Sequence, residues 1–285
     1  MSKHGLVLEG GAMRGLFSAG VMDVLMENNI RFDGIIGVSA GAVFGCNYKS
    51  HQPGRVLRYN KRFCRDKRYC SLWSLLTTGD LFGAEFCYHR LPDELDIFDR
   101  STFDSDPAEF HLVCTDADTG KAHYRMCNKV DDNCFEWMRA SASMPLVSNV
   151  VRIGGRKYLD GAIADSIPLR YFESIGFDKN TVILTQAPGF IKKPSKAMKL
   201  LRIALRKYPE LLKALEKRHE VYNETIKYIE NQEKDGKIFV FRPQEPLPVG
   251  RICHDPDLLQ QTYDTGRLLA ENRINDFLKF TGGEK

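Results

Sequence analysis

A chain of 285 residues, 43% of them hydrophobic, can bury a full core as one large α/β domain or as one domain with a sizeable insertion. Its net charge of +4 gives no argument for a nucleic-acid partner, and the absence of an apolar run of about 18 residues argues against a membrane-spanning helix. Eight cysteines without a CxxC pair read as buried thiols in a reducing compartment, and Cys64, Cys70, Cys87 and His89 match no standard zinc spacing, so no metal is expected.

Met1-Ser2-Lys3-His4 leads straight into a strand with no signal-peptide apolar region, so a cytoplasmic protein is expected, with any membrane contact peripheral to the inner face. The basic charge is local. Residues 51–70 carry seven Lys/Arg against Asp66 alone, and residues 190–220 carry ten against Glu210, Glu216 and Glu220. Such runs are ordinarily solvated helix faces; an anionic membrane surface or head group is the functional alternative.

In chain order, Gly5–Glu9 is a short apolar strand, followed by the glycine turn Gly10-Gly11-Ala12-Met13-Arg14-Gly15 and an amphipathic run from Leu16 to Asn28. Strand, glycine turn and helix together make an anion-binding arrangement, because clustered backbone N–H groups face outward at the helix start. Two chemistries use it. Gly10-x-Ala12-x-x-Gly15 nearly matches the dinucleotide fingerprint, with Asp33 as the ribose partner, which would make the chain a nucleotide-binding module. Alternatively the same amides form an oxyanion hole. Asp33 precedes the next strand rather than ending it, which favours the oxyanion reading.

One βα unit later comes Gly37-Val38-Ser39-Ala40-Gly41, a Gly-x-Ser-x-Gly between a strand and a helix running from Ala40 to Tyr48. This is the nucleophile-elbow pattern: the serine is held exposed on a sharp turn, and Gly37 and Gly41 remove Cβ atoms where strand and helix close on each other. Two adjacent parallel strands would set the Gly10–Gly15 turn beside Ser39 at the C-terminal edge of one sheet.

Residues 51–109 read as an insertion, with a lid over an acyl-binding cleft as the functional expectation and a packed helical decoration as the plain one. Residues 110–115 and 122–126 form a hairpin whose aspartates, Asp116 and Asp118, are turn formers. A helix from Cys134 to Ala142, a second hairpin from Val150 to Leu159, Asp160-Gly161-Ala162, strands at 181–185 and 237–241, two helices broken near Pro209, and a final helix from Asp257 to Lys279 complete the chain.

A serine nucleophile needs a base. Among the histidines only His254, beside Asp255, lies late enough for a hydrolase-type Ser–Asp–His order, which would give an ordinary esterase; the other base is an aspartate acting directly on Ser39.

Three ordered motifs, Gly10 to Gly15, Gly37 to Gly41 and Asp160-Gly161-Ala162, with Arg139-Ala140-Ser141-Ala142-Ser143-Met144-Pro145 before the last, resemble the patatin-like phospholipase family over roughly residues 5 to 190. Ala12 stands where that family often has a third glycine. The resemblance implies a three-layer α/β/α sandwich with a mainly parallel sheet. It also implies serine lipid acyl hydrolase chemistry on a lipid or phospholipid ester through a Ser39–Asp160 dyad, without metal or cofactor. Gly10, Gly11, Ala12 and Arg14 would form the oxyanion hole. The expected organisation is a catalytic domain over residues 5–190, with 51–109 as insertion, and a mainly helical C-terminal extension over 191–285 packed on it.

Overall fold

A computed structural model of the chain describes residues 2–131 and 133–282. Its first half runs β1 (His4–Leu8), α1 (Gly15–Glu27), β2 (Gly34–Val38) and α2 (Ala40–Lys49), then α3 (Arg55–Phe63) and α4 (Leu72–Thr78). A π-helical segment, Phe86–Leu95, and α5 (Arg100–Ser105) lead into β3 (Glu109–Asp116) and its antiparallel partner β4 (Ala122–Met126). The second half holds α6 (Cys134–Ser141), β5 (Val151–Ile153), β6 (Arg156–Asp160), α7 (Leu169–Ser174) and β7 (Lys179–Ile183). It closes with α8 (Met198–Ala204), α9 (Pro209–Lys234), β8 (Ile238–Phe241) and α10 (Pro256–Thr281).

The strands make one eight-stranded sheet in the order β5-β6-β3-β2-β1-β7-β8, with β4 pairing β3 off that path. The five strands β3, β2, β1, β7 and β8 are mutually parallel, and the β5–β6 hairpin joins antiparallel. Strand side chains alternate between two cores, as period-2 geometry requires. Leu6, Leu8, Ile35, Leu112 and Phe239 pack with α1, α2, α3 and α10 on one face. Val7, Ile36, Val113, Val182 and Val240 pack with α7 and α9 on the other. Helices on both faces of a mostly parallel sheet are the three layers the sequence implied.

The C-terminal part enters this frame twice: β8 lengthens the sheet beside β7, and α10 lies along α1. The helix contact is close because each helix has a glycine at the crossing. A Cβ on Gly20 would stand 2.1 Å from the Tyr263 carbonyl oxygen, and one on Gly266 would stand 2.0 Å from that of Phe17. The start of α10 is fixed locally: the Asp255 carboxylate accepts from the amides of Asp257 and Leu258, and Pro256 needs no partner at the first helical position. In α8, Leu201 and Leu205 are buried while Leu200 and Ile203 are exposed, so this short helix both packs and presents an apolar edge.

The crossing gives a direct test. Gly20→Ala is expected to push α1 off α10 and cost about 1–3 kcal/mol or more, because the obstacle is backbone rather than a movable side chain. Urea unfolding monitored by circular dichroism would read the shift in midpoint.

Candidate active site

The register of the sheet assembles the site. Leu8 of β1 pairs with Gly37 of β2, so the turns after these two strands leave the sheet side by side. Gly10 lies against the elbow, where an added Cβ would be 2.9 Å from the Val38 oxygen and 3.0 Å from the Ser39 Cβ. Val38 pairs in turn with Val113 of β3, and Cys114 with Asp160 of β6. Ser39 and Asp160 therefore reach the same level with one strand between them. Gly161 lets the chain turn inward there, since a Cβ would meet the Val113 oxygen at 2.1 Å.

Ser39 adopts φ 55° and ψ −122°, a left-handed conformation rare for a residue with a Cβ. The flanking glycines permit it: a Cβ at 37 would collide with the Gly41 oxygen at 2.3 Å, and one at 41 with the Leu8 oxygen at 2.5 Å. The fully buried Ser141 hydroxyl accepts from the Ser39 amide at 3.0 Å and donates to the Val113 carbonyl at 2.7 Å, pinning the elbow to β3.

From this turn the Ser39 hydroxyl donates to Asp160 Oδ2 at 2.7 Å, and Asp160 Oδ1 accepts from the Ala162 amide at 2.8 Å. Asp160 is fully buried, and its own backbone is held by Thr115, whose hydroxyl donates to the Asp160 carbonyl at 2.8 Å. Burial pushes the carboxyl above its ordinary value; the Arg218 charge, the Ser39 and Ala162 bonds and the Arg251 charge pull the other way without cancelling it.

On the facing turn, Ala12 has φ 49°, which explains why glycine suits this position and shows that alanine occupies it here with some backbone strain. Among the described residues, the amides of Gly11 and Ala12 have no hydrogen-bond partner, whereas Arg14 N–H closes the turn onto the Gly11 oxygen at 3.2 Å. The Arg14 guanidinium reaches the Gln186 side-chain oxygen at 3.2 and 3.3 Å once that amide is oriented to accept, so it ties the turn to the loop after β7. Gly15 is where α1 passes the Phe44 ring, 2.9 Å from where a Cβ would be.

Ser39 and Ala12 line a largely apolar cleft of about 690 Å³. Residues of the 51–109 stretch, among them Tyr59, Phe82, Leu91 and Phe98, form part of its wall, together with Met138, Pro145 and Val147. Several cations also line it, among them Lys192, Arg218 and Arg251, which the sequence did not single out. Arg218 Nε donates to the Ala162 carbonyl at 2.5 Å, and the Arg251 carbonyl accepts from Met13 N–H at 3.4 Å. Lys192 and Arg218 had local basicity as their only signal in the chain, and Arg251, outside both basic stretches, had none.

Two other readings of the sequence place their residues elsewhere. His254 contacts the Cys64 carbonyl at 2.6 Å, next to the Asp255 helix cap, and is not brought to Ser39. Asp33 accepts from His4 N–H at 2.7 Å at the opposite end of β1 from the glycine turn, so the structure does not assemble a ribose partner beside it.

Comparison with known proteins agrees with this architecture. The profile of the family described as patatin-like phospholipase matches residues 6–173, and one described as a domain of unknown function (DUF6363) matches residues 208–282. The chain is 27% identical to the uncharacterized protein YjjU of Escherichia coli, with 92% of this chain and 74% of that protein covered. It is also 27% identical to lysophospholipase nte1 of Emericella nidulans, over 61% of this chain but only 11% of that much longer protein. The solved structure of VipD from Legionella pneumophila aligns with 97% of the chain and 67% of its own at a TM-score of 0.47 and 10% identity. With a matching profile over more than half of its length and an α/β/α architecture around the elbow, the chain belongs to the patatin-like phospholipase family, whose general activity is lipid acyl hydrolysis.

Proposed function

We propose that the protein is a phospholipase- or lysophospholipase-type serine acyl hydrolase acting through Ser39 and Asp160. The observation that carries the reading is the 2.7 Å hydrogen bond from the Ser39 hydroxyl to a carboxylate with no solvent exposure. A carboxylate of ordinary acidity is a weak base toward an alcohol, and burial strengthens it by penalising its charge.

In the acylation step Asp160 accepts the hydroxyl proton as Ser39 Oγ bonds to the ester carbonyl carbon. The carbonyl oxygen becomes an oxyanion directed at the N–H groups of Gly10, Gly11 and Ala12, with Arg14 holding that turn in shape. Collapse expels the alcohol, which takes the proton from Asp160 and leaves an acyl-serine. Water then gives a proton to Asp160 and attacks the acyl carbon, and the second collapse releases the carboxylic acid and restores the Ser39 hydroxyl. The apolar cleft wall contributed by residues 55–98 takes the acyl chain.

The exposed Leu200 and Ile203 of α8, flanked by Lys199 and Arg202, together with Leu72, Trp73 and Leu76 of α4, suit peripheral contact with an anionic lipid surface. Co-sedimentation with vesicles containing phosphatidylglycerol should weaken steeply between low and high salt. Binding that ignores salt would remove the electrostatic part of the idea.

Fluorophosphonate labelling tests the dyad. Wild type should label, Ser39→Ala should not, Asp160→Asn should slow labelling and ester turnover by about 10²–10⁴-fold, and His254→Ala should leave both intact. Retained labelling in Asp160→Asn would assign the base elsewhere.

The raised Asp160 pKa also sets a pH dependence. The working form is the carboxylate, so kcat/KM should fall with decreasing pH along a limb that lies above the ordinary aspartate range. Stability runs the other way: the folded state holds this proton more tightly than the unfolded chain. The group's contribution is therefore lost as pH rises from the ordinary value through the raised one. Asp160→Asn, which keeps the shape and removes the charge, should melt no lower than wild type at neutral pH by calorimetry.

A further inference from the structure

The cleft beside Ser39 has two walls of different chemistry. One is apolar, drawn from residues 43–98 and 135–147. The other is cationic, drawn from residues 192–251. Lys192, Arg218 and Arg251 are the informative members of the second wall because each is anchored and, among the described residues, none is in a direct ion pair. The strap holding Lys192 is fastened to α9 at both backbone polar groups: Lys192 N–H donates to the Asn223 side chain at 2.9 Å, and Asn223 Nδ2 donates to the Lys192 carbonyl at 3.0 Å. Arg218 is tied to the Ala162 carbonyl and Arg251 to the amide of Met13, so both lean on the two turns that frame Ser39. Among the described residues none of the three has a carboxylate within salt-bridge distance. Lys192 Nζ instead lies 3.8 Å over the Tyr222 ring.

The acids nearby are already engaged. Both oxygens of the buried Glu9 are taken, one by Tyr222 at 2.8 Å and the other by the Thr185 amide at 2.6 Å and hydroxyl at 3.1 Å. Asp160 is taken by Ser39 and Ala162. Glu9 and Asp160 offset part of the cost of packing these cations together, but neither pairs directly with one of them. Burial first, then the charge of Arg218 with smaller parts from Arg251 and Arg14, holds Lys192 down to about 7, with Glu9 acting against them.

We propose that Lys192, Arg218 and Arg251 form an anion subsite next to Ser39 that selects esters carrying a phosphate on the alcohol side, with the acyl chain on the apolar wall. The three residues lie beyond the matched patatin-like region, Arg218 and Arg251 within the stretch matched by DUF6363. The subsite rests on Ser39 as the nucleophile for its catalytic meaning, but its existence is measurable without catalysis.

Isothermal titration with dodecyl phosphate, which has no ester to cleave, and with the neutral dodecyl glucoside isolates the head group at constant chain length. The phosphate should bind at least about tenfold tighter, and Arg251→Gln and Lys192→Gln should each lose about fivefold or more of that preference. Arg251→Gln keeps the backbone bond to Met13, and a thermal melt checks that both variants fold. Equal binding of the two amphiphiles, or a preference untouched by either variant, would overturn the subsite. Inorganic phosphate binding as tightly as dodecyl phosphate would assign the cluster to a free anion and overturn the head-group reading. Turnover supplies the second arm: the kcat/KM ratio of a 1-acylglycerol 3-phosphate over the matching 1-acylglycerol should exceed one in wild type and fall in Arg251→Gln. A ratio near one would likewise overturn it, whereas absence of Ser39 labelling with intact dodecyl phosphate selectivity would count against the hydrolase reading alone.

Discussion

The structure depends on one costly act, the burial of the Asp160 carboxylate against the Ser39 hydroxyl. An isolated ionised carboxylate out of water is strongly disfavoured, and proteins ordinarily respond by neutralising it or surrounding it with donors. Here the surroundings go only part of the way. Ser39 and the Ala162 amide donate to it and two arginines lend positive charge, yet burial still dominates and the carboxyl stays easier to protonate than usual. More donors would stabilise the charge and weaken the base. Fewer would leave it protonated and silent.

Holding that balance demands accurate placement, and the sheet provides it through register rather than through long side-chain networks. The pairs Leu8–Gly37, Val38–Val113 and Cys114–Asp160 bring three strand ends to one level. Glycine then does the local work at the two places where backbones nearly touch, between the elbow and its helix and between Asp160 and β3. The strained φ of Ser39 persists because its amide is bonded to Ser141 and its hydroxyl to Asp160, so relaxation would break both.

The fold and the serine elbow were legible in the chain because short-range rules write them. Strand, glycine turn and helix recur with fixed spacing, and Ser39 sits inside a pentapeptide whose glycines have a steric reason. Asp160 was visible only through the family's ordered motifs; by itself it reads as a turn residue. Ser141 was quoted within a helix end but had no assignable task, since its partners, Ser39 and Val113, are brought to it by tertiary packing. The cations were less visible still. Arg218 lies on a helix whose exposed face carries other basic residues, and nothing local separates the one that reaches Ala162 from Lys213 or Lys217, which do not. His254 shows the converse case: a residue in suitable chain order that contacts the Cys64 carbonyl, while its neighbour, Asp255, caps α10.

The C-terminal third joins the sheet as well as the helices around it. It supplies the edge strand β8, and its α10 meets α1 at paired glycines that have no use unless both helices are present. It also delivers Arg218 and Arg251 to the turns that carry Asp160 and the Gly11 and Ala12 amides. Those arginines act on Asp160 electrostatically, so the acidity of its carboxyl is set in part from outside the stretch that shares its motifs with the family. On the reading proposed above, such a site would keep its nucleophile and base unchanged while its preferred substrate followed the cationic wall, because the two functions would be carried by different parts of one chain that meet at a single cleft.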